Sequence, residues 1–391
     1  MTPPAPLRAA APCLGDHACG PAKRVPWRAR GVVLAATLLS GCAGTTTGLG
    51  YYWQSVSGHL KILQAAKPVS EWIADSHTPE TLRERLALTQ RMRTFGVQTL
   101  HLPDSPSYQR YADLKRKAAV YNVVAAPDLS LTLERWCFPV VGCVGYRGYF
   151  DETHAEAFAR TLPAALEVAV YPVPAYSTLG WTNWMGGDPL LNTFIGYPEG
   201  ELARLLFHEL AHQVVYAAGD TAFNESFATA VERLGGARWL AQSTPAARER
   251  YETFDARRRE FRALTRETRD QLAAIYKDAL TSEASKQTAK AQAMAQFQAR
   301  YAALRERWEG YSGYDAWVKR ANNASFGAQA AYDDLVPAFE ALFQREGQDF
   351  VRFYDAVRDL AQQPPEQRHA RLQALVSPAS SAAISPLSPP Q

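Results

Sequence analysis

Two histidines four residues apart with a glutamate beside the first impose a helix on this part of the chain. In His208-Glu209-Leu210-Ala211-His212, both imidazoles reach one face only if the segment is α-helical. That pair can hold one Zn²⁺, which takes nitrogen and oxygen ligands in a tetrahedral arrangement. Glu209 stands where a carboxylate can take a proton from water activated by the ion. The surroundings support the helix. Leu202, Leu205, Leu206, Leu210, Val214 and Val215 keep helical spacing from Pro198 to about Ala217. Pro198, Glu199 and Glu201 suit a helix start, and Gly219-Asp220 suits an end.

A catalytic zinc site needs a third protein ligand and one open position. Asp220, Glu225 and Glu232 are the downstream candidates, and Glu225 is preferred. It opens a second helical run, Asn224 to Leu234, and a short turn between antiparallel helices would return it beside the first. The expected ligand set is therefore His208, His212 and Glu225, with Glu209 as general base. Asp220 and Glu232 are expected at a helix end, orienting an imidazole, or paired with a neighbouring arginine.

Spacing separates the variants of the motif. The metzincin form requires a glycine and a third histidine where this chain has Val215 and Ala218. Asn224-Glu225-Ser226-Phe227-Ala228 resembles the Asn-Glu-x-x-Ala of gluzincins, which implies Glu225 as third ligand. Twelve residues separate His212 from Glu225 here, fewer than in the best-known gluzincins. The Gly-x-Met-Glu-Asn motif of the large gluzincin aminopeptidases is missing.

The amino terminus carries a basic region (Lys23, Arg24, Arg28, Arg30), a short apolar run from Val32 to Leu39, and Leu39-Ser40-Gly41-Cys42. The run is too short to span a membrane and reads as a secretory signal, residues 1–41. Its end resembles the bacterial lipobox, which implies lipidation of Cys42 and anchoring to a membrane. Ala43 resembles the outer-membrane sorting class, so the expected address is the cell envelope, at the outer membrane facing the periplasm. The leader holds five basic residues and one acid, so the chain's net charge of +3 becomes about −1 without it. Nothing then directs the chain to nucleic acid. Cys137 and Cys143 remain, and an exported protein favours a disulfide between them, stapling a hairpin.

The remaining pattern is α+β. Helices are expected over 51–75 and 78–96. A β-branched and aromatic stretch over 98–182 implies a mixed sheet, including strands over 120–125, 129–133, 137–150 and 168–171, with a helix over 154–165. Residues 42–244 would form the catalytic core, 245–310 a helical hairpin arm with a break near Ser282, 311–363 C-terminal helices of the catalytic domain, and 364–391 a disordered tail. Ala175 to Trp181 alternates like a strand. Zincin folds pair such an edge with extended peptide, which nominates Ser177, Thr178 and Leu179 for substrate binding. Tyr332 is the preferred tyrosine to stabilise an oxyanion, ahead of Tyr314 and Tyr216. Asn322 and Asn323 suit a turn or cap, with substrate backbone as the other use. Asp188 and Glu199 are the candidates to hold a substrate amine.

Together, the lipobox, Tyr51-Tyr52-Trp53-Gln54, Trp136-Cys137 with Gly142-Cys143, Ala175–Trp181, His208–His212, Phe223–Ala228 and Asn322-Asn323 resemble a bacterial family of lipoproteins described as predicted aminopeptidases. The resemblance runs over about residues 40–360. It implies a zincin-like core, one Zn²⁺, a peptide substrate and aminopeptidase activity. An envelope endopeptidase and a non-catalytic zinc-binding lipoprotein are the other readings.

Overall fold

Pro68 divides the helix expected over residues 51–75. The computed structural model describes residues 49–138, 142–178, 180 and 183–376, without the side chains of 49 and 331–333. There the chain forms α1 (Leu49–Ala65), an extended pair β1 (Lys67–Pro68) and α2 (Val69–Ala74). Proline has no N–H to continue a helix and suits a sheet edge. α3 (Glu80–Leu100) begins after Pro79 rather than at Thr78. β2 (Arg110–Ala112) then pairs antiparallel with β1.

In place of the single mixed sheet expected over residues 98–182, the described residues form three small sheets. β3 (Val120–Pro127) is followed by the hairpin β4 (Trp136–Phe138) and β5 (Gly142–Val144), then β6 (Arg147–Tyr149), α4 (Glu152–Ala159) and β7 (Leu166–Val173). β3 is the centre of an antiparallel sheet ordered β6-β3-β7, with Asn122 opposite Gly148 on one side and Tyr171 on the other. Residues 129–133 make no strand, because the chain turns after Pro127 with Ser130 N–H donating to Pro127 O at 3.1 Å. α4 starts at its Asp151 cap and stops at Ala159, short of the helix expected to residue 165. Residues 175–178 are not a strand either: the chain leaves the sheet after Val173 and, among the described residues, adds only β8 (Leu190–Leu191), parallel to β2.

The centre of the molecule is α5 (Glu199–Ala211) packed on α6 (Thr221–Ala241). Leu202, Leu206, Phe207 and Leu210 from α5 meet Phe223, Phe227 and Val231 from α6 in one buried cluster, which also takes Leu86, Met92 and Leu100 of α3. Gly235 lets these helices close: a Cβ there would stand 2.6 Å from Leu100 Cδ1 and 3.1 Å from Phe207 Cδ2. Gly236 similarly makes room for the Arg204 stem, whose Cγ would be 2.7 Å from such a carbon.

The arm is a helical hairpin, α7 (Pro245–Lys277) and α8 (Glu283–Arg307), started by Thr244 and Ser282 caps. The pairs Glu260 with Arg307, Glu267 with Arg300 and Gln271 with Gln296 show the two helices running antiparallel. Their apolar faces share a core with the helices that follow, α9 (Asp315–Arg320) and α10 (Asn323–Asp333): Phe261 stacks on Tyr314 at 4.0 Å, and Phe297 meets Phe326. The arm is thus continuous with the body. α11 (Val336–Arg345), α12 (Phe350–Ala361) and α13 (Pro365–Val376) are the last described elements. The tail expected from residue 364 is therefore helical as far as Val376, with Leu372 fully buried. Its Pro, Ser and Ala content suggested disorder, but apolar residues at helical spacing find a groove beside α11.

Candidate metal centre

α5 ends on its second histidine. His212 caps the helix, its N–H donating to His208 O at 3.3 Å, and the chain turns instead of continuing to residue 217. Asn224 closes that turn. Its side chain accepts from Ala217 N–H and donates to Ala217 O, both at 2.8 Å. Asp220 caps α6 by accepting from Phe223 N–H, and also meets Arg368 (3.2 Å) and His369 (2.9 Å) of α13. From the other side, Arg135 donates to Gly219 O at 2.9 Å and to Cys143 O at 2.8 Å. Gly142, at φ +77°, packs so that a Cβ would stand 2.8 Å from Gly219 N. Cys137 and Cys143 sit opposite each other in this hairpin and are disulfide-bonded. A turn clamped from within and braced by two neighbouring elements is how so short a connection places Glu225 in the first turns of α6.

Three ligand atoms converge as a result. His208 Nε2 and His212 Nε2 are 3.2 Å apart, and Glu225 Oε2 lies 3.3 Å from the first and 3.6 Å from the second. Two donors each about 2.0–2.1 Å from a tetrahedral zinc are roughly 3.3–3.4 Å apart, so these edges fit one such ion. Among the described residues, this is the one His/Cys/Asp/Glu group of that kind. Burial opposes ionisation of Glu225, but His212 and His208 outweigh it and hold the carboxyl at about 2.

Glu232 turns toward the same site. Its Oε2 is 3.1 Å from His208 Nδ1, and its Oε1 accepts from Arg204. Arg204 also donates to Tyr251 Oη (2.8 Å) and Asp255 Oδ1 (3.2 Å) on α7. Burial works against the Glu232 charge, yet Arg204 and His208 keep its carboxyl well below the usual range. A carboxylate on Nδ1 directs His208 to present Nε2 to the metal position. Glu209 shares a cavity of about 380 Å³ with the three ligands. Burial raises its carboxyl above the ordinary value, with His208 and His212 pulling down and Glu225 and Glu232 pushing up.

A family model described as "Putative aminopeptidase" matches residues 50–372, a span that contains every residue of this centre. The chain belongs to this family. No curated protein and no solved structure matches it. Membership in the aminopeptidase family makes a peptide the substrate class, and the fold that carries it is α+β.

Within this aminopeptidase-family chain the other nominated residues fall in different places. Ser177 lines the cavity, and Thr178 binds Asp188 through its N–H (2.9 Å) and hydroxyl (2.8 Å). Asp188 is almost fully buried and fastens this segment; burial first, and then the Glu209 charge, push its carboxyl up to about 6 against the Thr178 hydrogen bonds. Glu199 is taken by Trp239 (3.0 Å) and Ser243 (2.9 Å), far from any role at the metal position. Asn322 caps α10 and donates to Val168 O at 3.0 Å, while Asn323 holds the Pro127 and Asp128 carbonyls; both are structural. Tyr216 lines the cavity, whereas Tyr314 belongs to the arm's core. Leu179, the Tyr332 side chain and Cys42 lie outside the described residues.

Two features were missed. Arg204 stands four residues before His208, on the same helix face, and a charge inside Leu202-Ala203-Arg204-Leu205-Leu206 was a usable signal for a buried ion pair. Tyr146 also lines the cavity, and burial and then the Glu225 charge push its hydroxyl well above the ordinary tyrosine value. No local pattern marked it.

Proposed function

We propose that this chain is a zinc-dependent peptidase, acting as an aminopeptidase, in which His208, His212 and Glu225 hold the ion. The ligand-atom triangle of 3.2, 3.3 and 3.6 Å is the observation that carries the reading. A zinc ion there would supply Lewis acidity toward a substrate carbonyl and activate water near neutral pH. Glu209 accepts the proton released as water attacks, and returns it to the departing amine. Its raised affinity for a proton suits both halves of that task. Tyr216 lines the same cavity, and burial and then Glu225 keep its hydroxyl protonated, which makes it the candidate oxyanion donor among the described residues. Glu232 and Arg204 orient His208, and Asp188 holds the Ser177–Thr178 segment beside the cleft.

The Leu39–Cys42 sequence supports lipid anchoring at Cys42 and an outer-membrane, periplasm-facing location. A second reading, endopeptidase, is favoured by one observation: among the described cavity residues the only carboxylates are Glu209 and Glu225. Neither is spare to neutralise a substrate's free amine.

Cleavage mapping by mass spectrometry separates these readings, using residues 43–391 loaded with zinc and peptides with free or acetylated amino termini. Stepwise removal from free termini alone is the expected result. Internal cuts in both sets would make the enzyme an endopeptidase. No cleavage by folded, zinc-replete protein would overturn the peptidase reading.

A further inference from the structure

Away from the ligand triangle the described cavity lining carries no charged side chain: it is an aromatic and aliphatic wall with neutral polar groups (Ser55, Asn122, Ser177, Thr221, Asn224) set into it. Across from His208, His212 and Glu225 it is walled by Tyr51, Phe138, Val144, Tyr146, Phe150 and Tyr176. These rings are held in place by one another and by their surroundings. Tyr51 stacks on Phe138 at 5.4 Å, and Phe150 meets Tyr176 edge-on at 5.0 Å. Arg147, a cation close by, is taken up by the faces of Tyr51 (4.1 Å) and Phe158 (4.4 Å). The ionisable groups of the described lining, tyrosines apart, are His208, His212, Glu209 and Glu225, all of them part of the metal machinery.

We infer that this cavity selects peptides whose residue beside the scissile bond is large and apolar, and rejects those with a charged side chain there. The inference rests on the peptidase reading and names its substrate class. The volume, about 380 Å³, is at the small end of ligand pockets, so it admits a short stretch of peptide and no folded surface. An aromatic or leucyl side chain gains by leaving water against these rings. A lysyl or glutamyl side chain loses hydration and meets no uncommitted counter-charge. The difference corresponds to roughly 10- to 200-fold in affinity, the scale on which apolar pockets discriminate.

Ser55 offers a way to reverse the preference. It lines the cavity from α1, half-buried, and its hydroxyl donates to Tyr51 O of its own helix at 2.9 Å. Ser55→Asp would place a carboxylate in the wall without removing a packed side chain.

The test is equilibrium binding of X-Ala-Ala peptide amides, free and acetylated, with X as Phe, Leu, Lys or Glu. It uses zinc-loaded Glu209→Gln protein so that nothing is cleaved. Phe and Leu peptides binding at least 10-fold tighter than Lys and Glu peptides is the expected result. A flat ranking, tighter binding of the charged peptides, or no binding of any peptide overturns the inference. In the Ser55→Asp background the Lys peptide should gain at least 10-fold relative to Phe; no gain from a folded variant removes Ser55 from the side-chain wall. If that variant fails to fold, the unsubstituted wall's ranking still decides. Apolar-selective binding together with no hydrolysis by the Glu209 protein would refute the peptidase reading while leaving the cavity's preference standing.

Discussion

Glu232 and His208 are joined across two helices, Oε2 to Nδ1 at 3.1 Å, and the other Glu232 oxygen is held by Arg204. The contact ties the metal position to the arm, since Arg204 is itself held by Tyr251 and Asp255 of α7. Removing the Glu232 charge leaves His208 less basic and less firmly oriented. Glu232→Gln is therefore expected to weaken zinc affinity by about 10- to 100-fold. Competition with a chromophoric chelator measures this, with circular dichroism to check that the fold is kept. Unchanged affinity would reduce the contact to a structural ion pair.

Glu209 differs from the ligands in what its loss should do. Glu209→Gln keeps the shape but cannot take a proton, so kcat/KM should fall by about 10²- to 10⁴-fold. Metal content, read by mass spectrometry of the desalted protein, should stay at the unsubstituted level. Loss of both together would place Glu209 among the ligands instead.

The brace from the carboxyl-terminal helix gives a stability prediction. Arg368 and Asp220 are both buried and 3.2 Å apart, and Asp220 caps the helix that carries Glu225. Arg368→Ala leaves a buried carboxylate with only His369 and the Phe223 N–H as partners, at a cost on the order of 3 kcal/mol. Urea unfolding should show that loss in the midpoint at an unchanged slope. A change below about 0.5 kcal/mol would mean that His369 and the Phe223 N–H satisfy Asp220 without the arginine.

These cases show what was legible in the sequence. The histidine pair and Glu225 could be read because helical spacing is local, and the geometry that joins them depends on one short turn. The arm could be read for the same reason, down to its break near Ser282. The 175–181 segment misled because alternation is compatible with a strand but pairing needs a neighbour, and none is there for residues 175–178. Residues 365–376 misled in the opposite sense: their order comes from burying Leu372 and Arg368 against distant residues. Glu232 was left between a role at an imidazole and a surface ion pair because its partner Arg204 lies 28 residues away.

Asp188 supplies a pH-dependent prediction. Its carboxyl is raised from 3.8 to about 6, chiefly by burial. Between about pH 4 and 6 the native state therefore binds a proton that the unfolded chain has released, and the slope of unfolding free energy with pH is negative there. The contribution is present below about pH 4 and is lost as pH rises through 6, a loss on the order of 3 kcal/mol. Asp188→Asn removes the titration while keeping an acceptor for Thr178 N–H. Other groups titrate in the same window, so the quantity to measure is the difference between the two proteins. Urea unfolding of the metal-free forms should show the native-sequence protein losing about 2–3 kcal/mol relative to Asp188→Asn between pH 4 and pH 7. Parallel curves would mean that Thr178 and Ser177 compensate the buried charge fully, and that Asp188 is ionised at the pH where the enzyme works.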